Sequence, residues 1–159
     1  MIVTGVDFDS HGYYYAQIMD GVLVSIWSEE FQRKRKFIER IVGGQEYRLM
    51  YGRESSYLES DCVGVEGYMA RFDKEGVLAC VYWTLLQDLW HEGLKEQILP
   101  APSWKKGIGI RGNANKDDVK EQVLFLYPEL KKVKSLKQDH FDAVAICHAA
   151  YRVIKLEAA

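Results

Sequence analysis

The chain has 159 residues, 48% of them hydrophobic and 28% charged, with a net charge of −2. Those figures suit one folded domain spanning residues 1–159 and exclude low-complexity, collagen-like and disulfide-scaffold chains. The longest apolar run, "VLACVYWTLL", is too short to cross a bilayer, and the start of the chain has no signal-peptide pattern.

Residues 2–8, 13–19 and 22–28 read as three strands. Asp20-Gly21 joins the second to the third, a strong hairpin signal because both turn positions tolerate positive φ. A helical region follows over about 30–56, interrupted at Gly43-Gly44. "CVGVE" at 62–66 reads as a fourth strand, reached through a helix and so expected parallel to the first. Residues 74–91 read as a buried helix with Val77, Cys80, Val81, Thr84, Leu85 and Leu89 at helical spacing. "KEQILPAP" reads as a short fifth strand stopped by Pro100 and Pro102. Asn115 is the expected cap of a helix that carries Asp117 and Asp118 in its first turn and ends at Pro128. The last helix starts near Asp139 and runs to about Lys155. The order βββαβαβαα places the chain in the α/β class, with a mixed five-stranded sheet.

Four carboxylates interrupt apolar elements at three places in this pattern. Asp7 ends the first strand, Glu66 ends the fourth, and Asp139 and Asp142 open the last helix on one side. Each has an ordinary structural reading. Asp7 and Asp9 suit a strand-end turn, and Asp139 and Asp142 suit the cap and third position of a helix. Taken together they imply more. If the first and fourth strands are parallel neighbours, Asp7 and Glu66 end side by side, and the helix brings its two acids over the same edge. Converging carboxylates repel unless a cation neutralises them. An all-oxygen set without His or Cys points to Mg²⁺ or Mn²⁺. Two such ions, about 3.5–4 Å apart, activate water and stabilise the leaving oxygen of a phosphodiester.

The remaining chemistry-bearing residues are scattered. Cys62, Cys80 and Cys147 are odd in number and far apart, so they are expected as reduced core thiols. Basic residues cluster at Arg33 to Lys36, at Lys105, Lys106, Arg111 and Lys116, and at Lys131, Lys132, Lys134 and Lys137. Such runs are ordinarily solvated faces; beside an acidic centre they gain meaning as anion contacts. Trp83 and Trp90, seven residues apart, fit either a core or a subunit interface.

With those elements in place, the sequence resembles the RuvC-type Holliday junction resolvases of the RNase H-like nuclease superfamily. "VTGVDFDSHGYYYAQI" resembles the family's first hairpin and "VGVEGYMA" its glutamate strand. "GNANKDDV" is similar to its G-x-A-x-K-x-x-V segment, and "DHFDAVAICHA" to its D-x-x-D helix. The resemblance covers nearly the whole chain and implies an RNase H-like fold. It also implies a Mg²⁺-dependent endonuclease that cuts four-way junctions as a homodimer in the cytoplasm of a bacterium or an infected host cell, with no membrane partner. The metal-binding and catalytic acids would be Asp7, Glu66, Asp139 and Asp142, and Lys105 and Lys116 would hold phosphates near them. Tyr68, one position out of register, would lie near the junction bases, and Lys106, Arg111 and Arg33 to Lys36 near flanking arms.

The family's D-P-G is Asp7-Phe8-Asp9 here, leaving Asp9 as an extra candidate metal contact, and Gly67 replaces the usual Gln. These departures suit a divergent branch, viral ones included, with specificity extending to other branched DNAs. Three other readings share part of the pattern: a nuclease for RNA–DNA hybrids or structured RNA, a non-catalytic junction-binding protein, and an actin-like ATPase, for which the chain is too short.

Overall fold

The computed structural model describes residues 1–30, 59–69, 73 and 76–158. The helix expected over 30–56 and the basic run Arg33 to Lys36 therefore fall almost wholly outside the described residues. Five strands form one mixed sheet: β1 (Ile2–Asp9), β2 (Gly12–Met19), β3 (Val22–Glu30), β4 (Cys62–Glu66) and β5 (Glu96–Leu99). Their order is β3-β2-β1-β4-β5, which puts the first strand in the middle. β1 to β3 form an antiparallel meander, and β4 pairs parallel with both β1 and β5. The Asp20-Gly21 turn has φ of 49° and 89°, the two positive values that such a hairpin requires.

Four α-helices lie among the described residues: α1 (Val77–His91), α2 (Ala101–Gly107), α3 (Lys116–Leu126) and α4 (Gln138–Glu157). α1 begins three residues later than expected and turns Cys80 to solvent, so only Cys62 and Cys147 are core thiols. α2 was not expected. Pro100 and Pro102 read as terminators and do end β5 at Leu99, but Pro102 sits in the first turn of a helix that begins at once. Proline is tolerated there because first-turn N–H groups have no intrahelical acceptor. α3 starts as expected: Asn115 Oδ1 accepts the Asp118 N–H at 3.0 Å, and Asp118 Oδ2 accepts the Asn115 N–H at 2.9 Å.

The cap of α4 differs from expectation. Lys137 precedes the helix, and His140 occupies the third position, its Nδ1 accepting the Lys137 N–H at 3.0 Å. Neither Asp139 nor Asp142 caps the helix; Asp139 lies in its first turn, where the dipole favours an acid, and Asp142 lies beyond it.

Strand alternation separates two packed layers. One face of the sheet carries Val6, Val63, Val65, Tyr13 and Tyr15 and packs on α1 through Val81, Leu85, Leu86 and Leu89. The other carries Val3, Gly5 and Gly64, and α4 lies against it. Gly5 and Gly64 are register partners on β1 and β4. A Cβ on Gly5 would stand 2.3 Å from Cys147 N and 2.4 Å from Ala143 O; one on Gly64 would stand 2.7 Å from Ala150 Cβ. The helix thus rests on two bare backbones. Phe141 and Val144, off the face that meets the sheet, are buried as well, because α2 and α3 cover the outer side of the helix.

Candidate functional site

The close approach of α4 to β1 has a direct chemical outcome. Asp7 follows Gly5 by two residues and so shares its face of β1. Asp139 precedes Ala143 by four residues, one turn nearer the helix N-terminus. The contact that presses Ala143 and Cys147 onto Gly5 therefore brings Asp139 and Asp142 over Asp7. Each of the three offers a carboxylate oxygen within 4.8 Å of the others. Asp7 and Asp142 are only 6% and 8% exposed, and Asp139 is half-buried.

Glu66 stands beside this trio on the adjacent strand. The register pairs Val6 with Val65, so the next step along both strands sets Asp7 and Glu66 at one edge. Its Oε1 accepts a hydrogen bond of 3.2 Å from the Trp104 indole, which keeps Glu66 at the margin of the trio.

The electrostatics are those of crowded acids. Burial holds the Asp7 carboxyl well above its usual range, and Glu66, Asp142 and Asp139 push it the same way. Burial likewise moves Asp142 up to about 6, against the opposing pull of Lys116 and of a Gln138 hydrogen bond. Lys116 Nζ lies 3.4 Å from Asp139 and 3.8 Å from Asp142. Burial lowers the pKa of that ammonium, and Asp142, Asp139 and Asp7 more than reverse the effect, so it rises. Gln138 Nε2 donates to Asp142 Oδ1 at 3.1 Å and to the Lys116 carbonyl at 3.0 Å, tying the start of α3 to the acid.

The other expected site residues spread outward from this centre. Lys105 donates to the Ala114 carbonyl at 2.8 Å and lies 5.4 Å from the centre of the Trp104 ring. Lys106, on α2, and Arg111, in the loop before α3, are exposed. Tyr68 stacks on Tyr82 and donates to Asp73 at 3.0 Å, part of the α1 layer. Asp9 accepts the His11 and Gly12 N–H groups at 2.6 and 3.0 Å, so it closes the β1–β2 turn rather than joining the acids. Trp83 and Trp90 are about half exposed, which removes them from the core. Sequence reading missed Trp104 and Gln138. Neither belongs to a spacing pattern; each reaches an acid only through tertiary contact.

The donor set is carboxylate oxygen alone, which fits a hard divalent cation. A 3-2-1-4-5 mixed sheet with helices across it and an acid on the middle strand is the RuvC-like form of the RNase H fold. No family model and no curated protein matches the sequence.

Solved structures do match. Thermus thermophilus RuvC aligns over 99% of this chain and 97% of its own, with a TM-score of 0.73 and 15% identity. The same protein in complex with a Holliday junction substrate aligns over 99% and 96%, with a TM-score of 0.76 and 14% identity. Fowlpox virus resolvase with its Holliday junction DNA aligns over 97% and 99%, with a TM-score of 0.60 and 12% identity. Among the described residues, no helix is long and apolar enough to cross a membrane.

Proposed function

We propose that residues 1–159 form one nuclease domain that resolves four-way DNA junctions by divalent-metal-dependent phosphodiester hydrolysis, as a homodimer with one site per subunit. The observation that carries this reading is the convergence of Asp7, Asp139 and Asp142 from two elements that have no capping need for them. Mutual repulsion of buried acids destabilises a fold unless a cation is bound. The likeness to resolvases crystallised with junction DNA supports the substrate class.

Asp7, Asp139 and Asp142, with Glu66 completing the set, would hold Mg²⁺, two ions per site, with Mn²⁺ as substitute. A bound divalent cation supplies a Lewis acid and lowers the pKa of water. Lys116, already against the acids, would accompany the scissile phosphate, and Lys105 would hold a neighbouring one. Lys106 and Arg111 would contact the backbone of an arm; such contacts position DNA and carry little sequence information. Tyr68 would approach the bases. Hydrolysis adds water to phosphorus, and the 3′ oxygen leaves as an alcohol. A four-way junction is nearly two-fold symmetric, and two symmetric cuts need two related sites. The exposed Trp83 and Trp90 on α1 suit the subunit contact.

The test is cleavage, in Mg²⁺ and in Mn²⁺, of a four-way junction, a flap, a linear duplex and an RNA–DNA hybrid. Preferential junction cutting that Asp7→Asn removes is the expected result. Preference for the hybrid would reassign the substrate, and junction binding without cutting in either metal would remove the enzymatic reading.

A further inference from the structure

The lysines at 131–137 have no role in the reading above. Lys116, Lys105, Lys106 and Arg111 all belong to α2, the start of α3 and the loop between them. The lysine run lies between α3 and α4 in the chain, on a segment that stands against the edge strand β3. Residues 128–137 carry four lysines and one glutamate in a chain whose net charge is −2.

Two apolar anchors fix this segment. Leu130 is buried in the core from a 3-10 turn at Pro128–Lys132, and Leu136 packs against the same core. Between those anchors Lys131, Lys132 and Lys134 are exposed and make no ion pair with the described residues. The segment forms one wall of a groove of about 490 Å³ whose other wall is the edge strand β3. Of the four lysines only Lys137, at the C-terminal end of the segment, lines it, together with Glu30 and His140.

That end adjoins the acid centre. Lys137 pairs with Glu30 and lies 6.0 Å from the centre of the Tyr14 ring. Tyr14 is the register partner of Asp7, and its ring meets His140 edge-on at 5.2 Å. Lys137 is also two residues from Asp139. The acids therefore stand between two cationic flanks, Lys116 on the α3 side and Lys137 on the β3 side. A backbone crossing the centre carries a phosphate at every nucleotide, before and after the one that is cut.

From this arrangement, and resting on the junction-nuclease reading, we infer that Lys131, Lys132, Lys134 and Lys137 form a second phosphate-binding lip that holds a junction arm on the β3 side of the acid centre. The charge pattern favours nucleic acid: Lys131, Lys132 and Lys134, without an ion pair among the described residues, continue outward from Lys137 beside the acid centre, where the proposed reaction places a phosphodiester. Glu30 holds Lys137 until a phosphate replaces it.

The experiment compares two variants with equal charge loss. Lys131→Gln/Lys134→Gln alters the lip; Lys95→Gln/Lys155→Gln alters the far end of α4, roughly 25 Å away along the helix. Binding of an immobile four-way junction is measured in Ca²⁺ across a salt series. The lip variant should bind roughly tenfold more weakly, with a salt slope shallower by about 2. The far-end variant should match wild type, and Lys131→Arg/Lys134→Arg should restore binding. Equal effects from lip and far-end variants, or no effect from the lip, would overturn the inference and leave the lip to an acidic protein partner. A wild-type chain that binds no junction would remove the nuclease reading and this one with it; junction binding that ignores the lip would remove this one alone.

Discussion

On one face of the sheet Val6, Val63 and Val65 meet Leu85, Leu86 and Leu89 of α1; on the other Gly5 and Gly64 meet Ala143, Cys147 and Ala150 of α4. The first layer keeps its helix at the distance that large side chains dictate and carries none of the converging acids. The second removes side chains from the contact, and the backbones come close enough for carboxylates on strand and helix to share a cation. The difference teaches that the glycines are part of the site: Gly5 sets the spacing that Asp7 and Asp139 exploit.

The largest expected effect breaks the acid side directly. Asp7→Asn should lower junction cleavage by at least about a thousandfold, while the melting temperature in chelator holds or rises because repulsion is relieved. A clear fall in melting temperature would make Asp7 a structural residue.

The next pair tests the two layers against each other. Gly5→Val places atoms inside Cys147 and Ala143 and should cost on the order of 3 kcal/mol or more. Metal affinity should fall with it, because α4 is pushed off β1. Leu85→Ala, fully buried on the α1 face, should cost about 2–5 kcal/mol yet leave Mn²⁺ affinity near wild type in the folded fraction. Equal losses of metal affinity would show that the layers are not separable.

A pH series sharpens the electrostatic side. The Asp142 carboxyl, about 6 when folded against an ordinary 3.8, holds its proton more tightly in the folded state. Its protonation therefore stabilises the metal-free fold below about pH 4 and ceases to do so as pH rises through 6, and Asp7, raised by burial and the same neighbours, acts in the same direction. Asp142→Asn should gain on wild type by on the order of 2–3 kcal/mol across that window in chelator. Saturating Mg²⁺ should erase the gain. A flat difference would place Asp142 in a solvated, unperturbed setting.

The smallest effect concerns Glu66. Trp104→Phe keeps an aromatic ring in the buried position, with a smaller volume, and removes the indole N–H that Glu66 accepts. Stability should fall by about 1–2 kcal/mol, and the Mn²⁺ concentration for half-maximal binding should shift severalfold. An unchanged metal titration would leave Trp104 a packing residue.

Much of this was legible from residues alone. Alternation and the Asp-Gly turn marked the meander, and the helical route to Cys62–Glu66 implied a strand parallel to β1. The D-x-x-D helix and the strand-end acids marked the carboxylates that converge, because carboxylates are scarce in apolar elements. Other features were not legible. α2 was hidden by prolines that stop a strand and start a helix with the same fixed φ. Cys80 read as core because helical spacing gives a stripe without saying how far it extends around the helix. The true cap of α4, His140 on Lys137, follows no common capping pattern.

By itself, then, the order of residues determined which elements form and which of them end in acid, since period, turn chemistry and charge are local properties. The tertiary structure alone decided that Asp7, Asp139 and Asp142 form a trio with Glu66 at its margin, that Trp104 and Gln138 hold two of the acids, and that the lysine-bearing segment stands against β3. Those are distances between atoms far apart in the chain. They depend on how closely α4 settles onto Gly5 and Gly64, which no local pattern encodes.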